Sequence, residues 1–175
     1  MKILKTMFIA FVLLSPLSAI ANLSPDEEAR LSEQVRSLNA AYEEGNADKI
    51  VEMTFKPVVA MVGGAEAMKG MVQKSMNAQK DAGVIIESYS IGKPTEPIVA
   101  GEDVVTFIPK VTVMKMPGKR ARSTTFMVGA RKVKDKTWYF MDGAGFRKKP
   151  TMIYTFFPSL PQNLVLPENS IEFIE

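Results

Sequence analysis

An α+β fold, with helices first and a sheet second, is what this sequence predicts, and three observations carry it. Between Leu31 and Met76 the apolar residues recur every three to four positions, the period of a helix with one buried stripe. From Val104 to Met141 the period falls to two: Val105, Phe107, Val111 and Val113 alternate with Thr106, Lys110 and Thr112, as in a strand with one buried face. Glycine and proline fall between these segments, at Gly45, Pro57, Gly63-Gly64, Gly83 and Pro117-Gly118.

The chain opens on a targeting pattern. Lys2 and Lys5 precede the apolar run Met7–Leu14, and Ala19-Ile20-Ala21 places small residues at the positions a signal peptidase reads. Cleavage after Ala21 is expected, giving a signal peptide over residues 1–21 and a periplasmic or secreted protein beginning at Asn22. No Cys follows the apolar run, so a lipoprotein anchor is excluded.

Each element then has its own signal. Ser24-Pro25-Asp26-Glu27 is a capping box with Pro at the first helical position, and Leu31, Val35, Leu38 and Tyr42 form one face of the helix that follows. Gly45 ends it and Asn46 caps a short second helix, whose buried side is Ile50, Val51 and Met53 and which Lys56-Pro57 stops. Val58–Val62 is a short apolar run that reads as a strand. A third helix runs from Ala65 to about Ala82 with Met68, Met71, Val72 and Met76 on one face, and Gly83 closes it. Val84–Ile91 reads as a strand, with Ile85, Glu87, Tyr89 and Ile91 on one side and Val84, Ile86, Ser88 and Ser90 on the other. Residues 93–101 form a loop. Three long strands follow, Val104–Met116, Ser123–Val133 and Thr137–Met141, joined by turns at Pro117-Gly118 and Asp135-Lys136.

That order of elements resembles the nuclear transport factor 2-like superfamily, which includes ketosteroid isomerase and the polyketide-cyclase-like proteins. The stretch Leu38–Asp48 resembles the family's first helix ending in Gly before a polar cap, Val59–Met71 its strand, glycine turn and third helix, and Thr137–Asp142 its final strand. The likeness covers residues 26–142. It implies a cone-shaped, curved, mixed or antiparallel sheet packed against three N-terminal helices, and it makes a homodimer plausible. Residues 22–149 would form the domain and 150–175 a C-terminal extension. The cone would be lined by Leu38, Tyr42, Met61, Tyr89, Phe107, Phe126, Trp138 and Phe140. In the isomerases a carboxylate base ends the first short strand and a tyrosine stands on the first helix. Here those positions fall near Met61 and Leu38, both apolar, and no Asp or Glu lies between Glu52 and Glu66.

Composition narrows the chemistry. With no Cys and no His, a Ser-His-Asp or Cys-His arrangement is impossible and the usual zinc sites are excluded. The remaining general acid–base candidates are Asp142 and Glu87, acting with a tyrosine; the plainer reading of Asp142 is the first residue of a turn with Gly143. Met114 and Met116 share a strand face as copper(I) thioether ligands would, but also as core pairs do, and packing is the preferred reading. No metal and no cofactor is expected.

Charge is unevenly spread. Residues 109–149 hold 12 of the Lys and Arg residues against only Asp135 and Asp142. Lys115, Lys119, Arg120 and Arg122 crowd one hairpin tip, and Arg131, Lys132, Lys134 and Lys136 the next turn. Such a surface can attract an anionic envelope component or an acidic protein, or simply solubilise strand edges and turns. Nucleic acid does not suit an exported protein. After Pro150 come Met152, Ile153, Tyr154, Phe156 and Phe157, then prolines, then Ile171, Phe173 and Ile174. This much apolar surface predicts an extended strap packed on the domain or on a second copy, or equally plugging the mouth of the cone, with Ser170–Ile174 as an edge strand.

Three functions fit. The first is a non-catalytic exported binding protein holding a small hydrophobic ligand in the cone, or a protein or envelope partner on its surface. The second is a lyase or isomerase of the ketosteroid-isomerase kind using a buried carboxylate. The third is an inhibitor or immunity-type protein-binding factor.

Overall fold

The computed structural model describes residues 23–175, so the expected signal peptide lies outside the described residues. The architecture is α+β: helices come first, then an open antiparallel sheet of six strands. The helices are α1 (Pro25–Glu43), α2 (Ala47–Met53), α3 (Lys56–Met61) and α4 (Ala65–Asp81). The strands are β1 (Ile85–Ile91), β2 (Ile98–Ala100), β3 (Asp103–Met116), β4 (Lys119–Lys132), β5 (Tyr139–Asp142) and β6 (Ser170–Ile174). A short helix α5 (Ile153–Phe156) lies between β5 and β6.

The expected capping box is formed. Ser24 Oγ accepts the Glu27 N–H at 3.3 Å and Glu27 Oε2 accepts the Ser24 N–H at 3.1 Å, so two otherwise unpaired donors at the start of α1 are satisfied. Among the described residues four helices precede the sheet rather than three. Val58–Val62, expected as a strand, belongs to α3 and its end. Pro57 lies in the first turn of α3, where a missing N–H costs nothing, instead of stopping α2; α2 already ends at Met53, with Thr54 as its C-cap.

The sheet is built on the long β3–β4 hairpin, paired without a break from Asp103↔Lys132 to Met116↔Lys119. β1 and β2 lie end to end along the outer edge of β3. β5 and β6 do the same along the outer edge of β4. β2 falls inside the segment expected to be a loop. Facing residues in an antiparallel pair share a side of the sheet, so the register sorts the side chains. Val104, Ile108, Met127 and Phe140 pack with Leu31, Val35 and Leu38 of α1. Val105, Phe107, Phe126, Val128 and Met141 pack with Phe146, Ile153, Phe157 and Leu160. The segment after β5 therefore covers the second face of this sheet.

That corrects the expectation of one buried face. From Val104 to Ile108 every residue is buried. Thr106 is 0 % exposed and donates to the Thr95 carbonyl at 2.8 Å, so its hydroxyl is not left unpaired. β1 carries a bulge between Ile86 and Ser88. The extra residue shifts the alternation, so Tyr89 and Ile91 share a face with Ile86 rather than with Ile85 and Glu87.

Candidate functional site

Three layers meet imperfectly beside β5, and the gap is a cavity of about 350 Å³. Its walls come from every layer. Leu38 and Tyr42 reach it from α1, Ile50 from α2, Val58 and Met61 from α3, and Met68 and Val72 from α4. Met127, Phe140 and Met141 line it from the sheet, and Phe146, Met152 and Phe156 close it from the C-terminal segment. The lining is dominated by flexible methionine and flat phenylalanine side chains, which suit an apolar occupant of variable shape.

The rim holds the polar groups. Asp142 ends β5, and its Oδ1 accepts the Ala144 N–H at 2.9 Å, capping the 3₁₀ turn Gly143–Phe146. Its Oδ2 lies 3.6 Å from Lys110 Nζ, a pair in which Lys110 is 18 % and Asp142 53 % exposed. Tyr89 donates to Asn39 Oδ1 at 2.6 Å. Desolvation, together with the Asp142 charge, pushes Tyr42 up to about 12, although the residue remains 48 % exposed. Tyr89 also rises to about 12, through desolvation opposed by its bond to Asn39. Both phenols therefore stay protonated donors across the physiological range.

Of the residues expected to line a cavity, Leu38, Tyr42, Met61 and Phe140 do so, and Tyr89 stands close enough to feel Tyr42 and Asp142. Phe107 and Phe126 do not: they face the other side of the sheet, edge to face at 5.7 Å, inside the core beneath the C-terminal segment. Trp138 is buried against α1, with Arg131 over its ring at 5.1 Å, and lines a separate groove beside Tyr139 instead of this cavity. Glu87 is likewise displaced. The bulge places it beside Arg120, which it binds at 2.8 Å, away from the cavity. Sequence reasoning does not find Lys110, and it leaves open whether the C-terminal segment closes the cavity. The signal for Lys110 was a lysine inside an apolar strand, and for Met152 and Phe156 the apolar run whose docking place sequence does not give.

A second, larger groove of about 410 Å³ lies by Arg30, Glu33, Lys49, Glu52, Lys56 and Tyr139. Its charges largely serve one another: Lys49 binds Glu52 at 3.0 Å, and Lys56 donates to the Glu52 carbonyl at 2.8 Å while lying over the Tyr139 ring. Among the described residues, no group of three acidic side chains could hold a metal ion.

The basic surface is more neutralised than its sequence suggests. Arg120 pairs with Glu87, Arg122 with Glu172, Arg131 with Glu27, and Lys132 with Glu102 and Asp103. Lys119 lies over the Phe173 ring at 4.4 Å. Lys115, Lys134 and Lys136 are exposed. Comparisons with protein-family models, curated proteins and solved structures return no match for this chain.

Proposed function

We propose that this chain is an exported, non-catalytic binding protein with the cone-shaped fold of the nuclear transport factor 2-like kind, and that its cavity holds a small hydrophobic ligand. One observation carries the reading: the cavity is walled mostly by apolar side chains, while the charged groups at its rim are engaged with the protein. Asp142 is held by the Ala144 N–H and by Lys110, and Tyr89 by Asn39. Recognition then rests on shape and apolar contact, with Tyr42 as a hydrogen-bond donor for an oxygen of the ligand.

The test is native mass spectrometry of the protein purified after export. A mass above that of the chain, lost on denaturation, identifies a retained ligand and supports the reading. The same spectrum registers pairing with a second copy. A clean chain mass, with no uptake of added apolar probes such as 1-N-phenylnaphthylamine, refutes it.

The position of Asp142 beside Tyr42 keeps a catalytic reading in view, in which the carboxylate moves a proton and the phenol stabilises the developing oxyanion. Asp142→Asn separates the two: turnover disappears under catalysis, whereas ligand binding changes little under the binding reading.

A further inference from the structure

The cavity lining contains four polar side chains, Tyr42, Thr54, Lys110 and Asp142. The bonds they already make show which of them can still act on an occupant. Thr54 donates its hydroxyl to the Ile50 carbonyl at 2.7 Å. Asp142 Oδ1 accepts the Ala144 N–H. Lys110 and Tyr42 differ: among the described residues neither donates a hydrogen bond to the protein.

Lys110 stands in the middle of β3, facing Ile91 of β1 and Thr125 of β4. Asp142 Oδ2 is 3.6 Å from its Nζ, beyond the reach of a charged hydrogen bond, about 2.7–2.9 Å. The pair balances the Lys110 charge and leaves its donors unused. The side chain is only 18 % exposed, yet the ammonium is not sealed off. Among the described residues, the buried side-chain nitrogen or oxygen without a hydrogen bond is Asp103 Oδ1 alone.

An ammonium carries several N–H donors and no acceptor. A purely apolar occupant that shut water out of the cavity would strand those donors, which is costly for a charged group. The occupant therefore brings an acceptor. The charge of that acceptor follows from the lining, in which Lys110 and Asp142 are the charged residues and cancel. A carboxylate would set a second negative charge beside Asp142, whereas a neutral oxygen would not. Tyr42, which stays protonated, adds a second donor. At about 350 Å³ the cavity lies near the lower end of small-molecule pockets, about 300–1,000 Å³, so the apolar body is compact.

We propose that the cavity selects a compact apolar molecule bearing one neutral hydrogen-bond acceptor, a carbonyl oxygen above all, and that Lys110 is the residue that recognises this oxygen, with Tyr42 as the second donor. This rests on the binding function proposed above and names the ligand class.

The experiment uses three probes that share one body and differ in one group. 2-Ethylnaphthalene has no acceptor, 2-acetylnaphthalene has a neutral carbonyl and 2-naphthoate has a carboxylate. Each is titrated for displacement of 1-N-phenylnaphthylamine from the exported protein. The wild type binds 2-acetylnaphthalene about tenfold tighter than 2-ethylnaphthalene, the worth of one hydrogen bond to a charged group, and tighter than 2-naphthoate. Lys110→Met tightens 2-ethylnaphthalene, which no longer strands an ammonium, and erases the preference. Asp142, 53 % exposed, keeps its charge in water without the pair. Tyr42→Phe reduces the preference without erasing it. Equal binding of the ethyl and acetyl probes by the wild type overturns the inference and leaves the binding function standing. A preference for 2-naphthoate assigns Lys110 to an anion and also overturns it. A preference that survives Lys110→Met takes the recognition away from Lys110. The wild-type series decides the ligand class even where Lys110→Met does not fold. A wild type that takes up no 1-N-phenylnaphthylamine overturns both readings.

Discussion

Gly143→Ala tests the geometry that builds the cavity's C-terminal wall. Gly143 is buried at the start of the turn that carries Ala144, Gly145 and Phe146 into the lining. A Cβ at this position meets the Phe126 carbonyl oxygen, and lies 2.6 Å from Cδ2 and 2.7 Å from Cε2 of the Phe126 ring. Neither neighbour can give way cheaply. Phe126 is 0 % exposed, packs against Phe107 and stacks on Phe146, and sits in a strand paired with β3 at Pro109. The Gly143 carbonyl also accepts from Asn169 Nδ2 at 2.6 Å, which resists movement of the turn. Overpacking of this kind costs about 1–3 kcal/mol, and backbone contact pushes the effect to the upper end. Urea unfolding followed by tryptophan fluorescence reads it as a lower midpoint at unchanged slope. Gly145→Ala is the control: nothing lies within 4 Å of its Cβ, so stability stays within about 0.5 kcal/mol. A Gly143→Ala midpoint equal to that of Gly145→Ala would show that the turn does not press on Phe126, and the wall described here would be wrong.

Three further outcomes are expected. Arg131→Ala removes an ion pair to Glu27 at 2.7 Å, hydrogen bonds to the carbonyls of Lys132, Val133 and Asp135, and the cover over Trp138; the side chain is 11 % exposed, so unfolding free energy falls by about 2–4 kcal/mol, and Arg131→Lys recovers only part because one ammonium cannot reproduce the fork. Glu27 is held below its ordinary 4.5, first by the backbone and hydroxyl of Ser24 and then by Arg131; its contribution is complete above that value and is lost as pH falls through the depressed folded value, so Glu27→Gln flattens the acid limb of a stability-versus-pH curve, and an unchanged limb counts against the capping geometry. Tyr42 and Tyr89, raised from 10.0 to about 12, ionise late in an absorbance titration at alkaline pH; because the unfolded chain loses these protons first, stability declines between pH 10 and 12, and Tyr42→Phe removes part of that slope.

Much of the fold was legible because the signals are local. A capping hydroxyl, a Pro and a Glu at fixed offsets define the start of α1 whatever surrounds it, and the period of two at Val105, Phe107, Val111 and Val113 marks β3. Val58–Val62 was misread because five apolar residues fit a strand or a buried helix equally, and Pro57 both ends and begins helices. The cavity was half legible. Leu38 and Tyr42 follow from the stripe on α1, whereas Phe107, Phe126 and Glu87 were assigned to the wrong surroundings. Period two says that neighbours alternate but not which face meets the helices, and one bulge in β1 is enough to turn Glu87 away from Tyr89.

The sequence by itself determined that helices precede a sheet built on a long hairpin, that neither thiol nor imidazole chemistry is available, and that an apolar C-terminal segment needs a surface to cover. Only the tertiary structure decided which surface that is. The segment packs on the sheet face opposite α1, buries Phe107 and Phe126 there, and sends Phe146, Met152 and Phe156 around to the cavity. The physical reason is that apolar burial is non-directional: the chain records how much surface must leave water, while the partner of each surface is settled by strand register and by contacts between residues far apart in sequence.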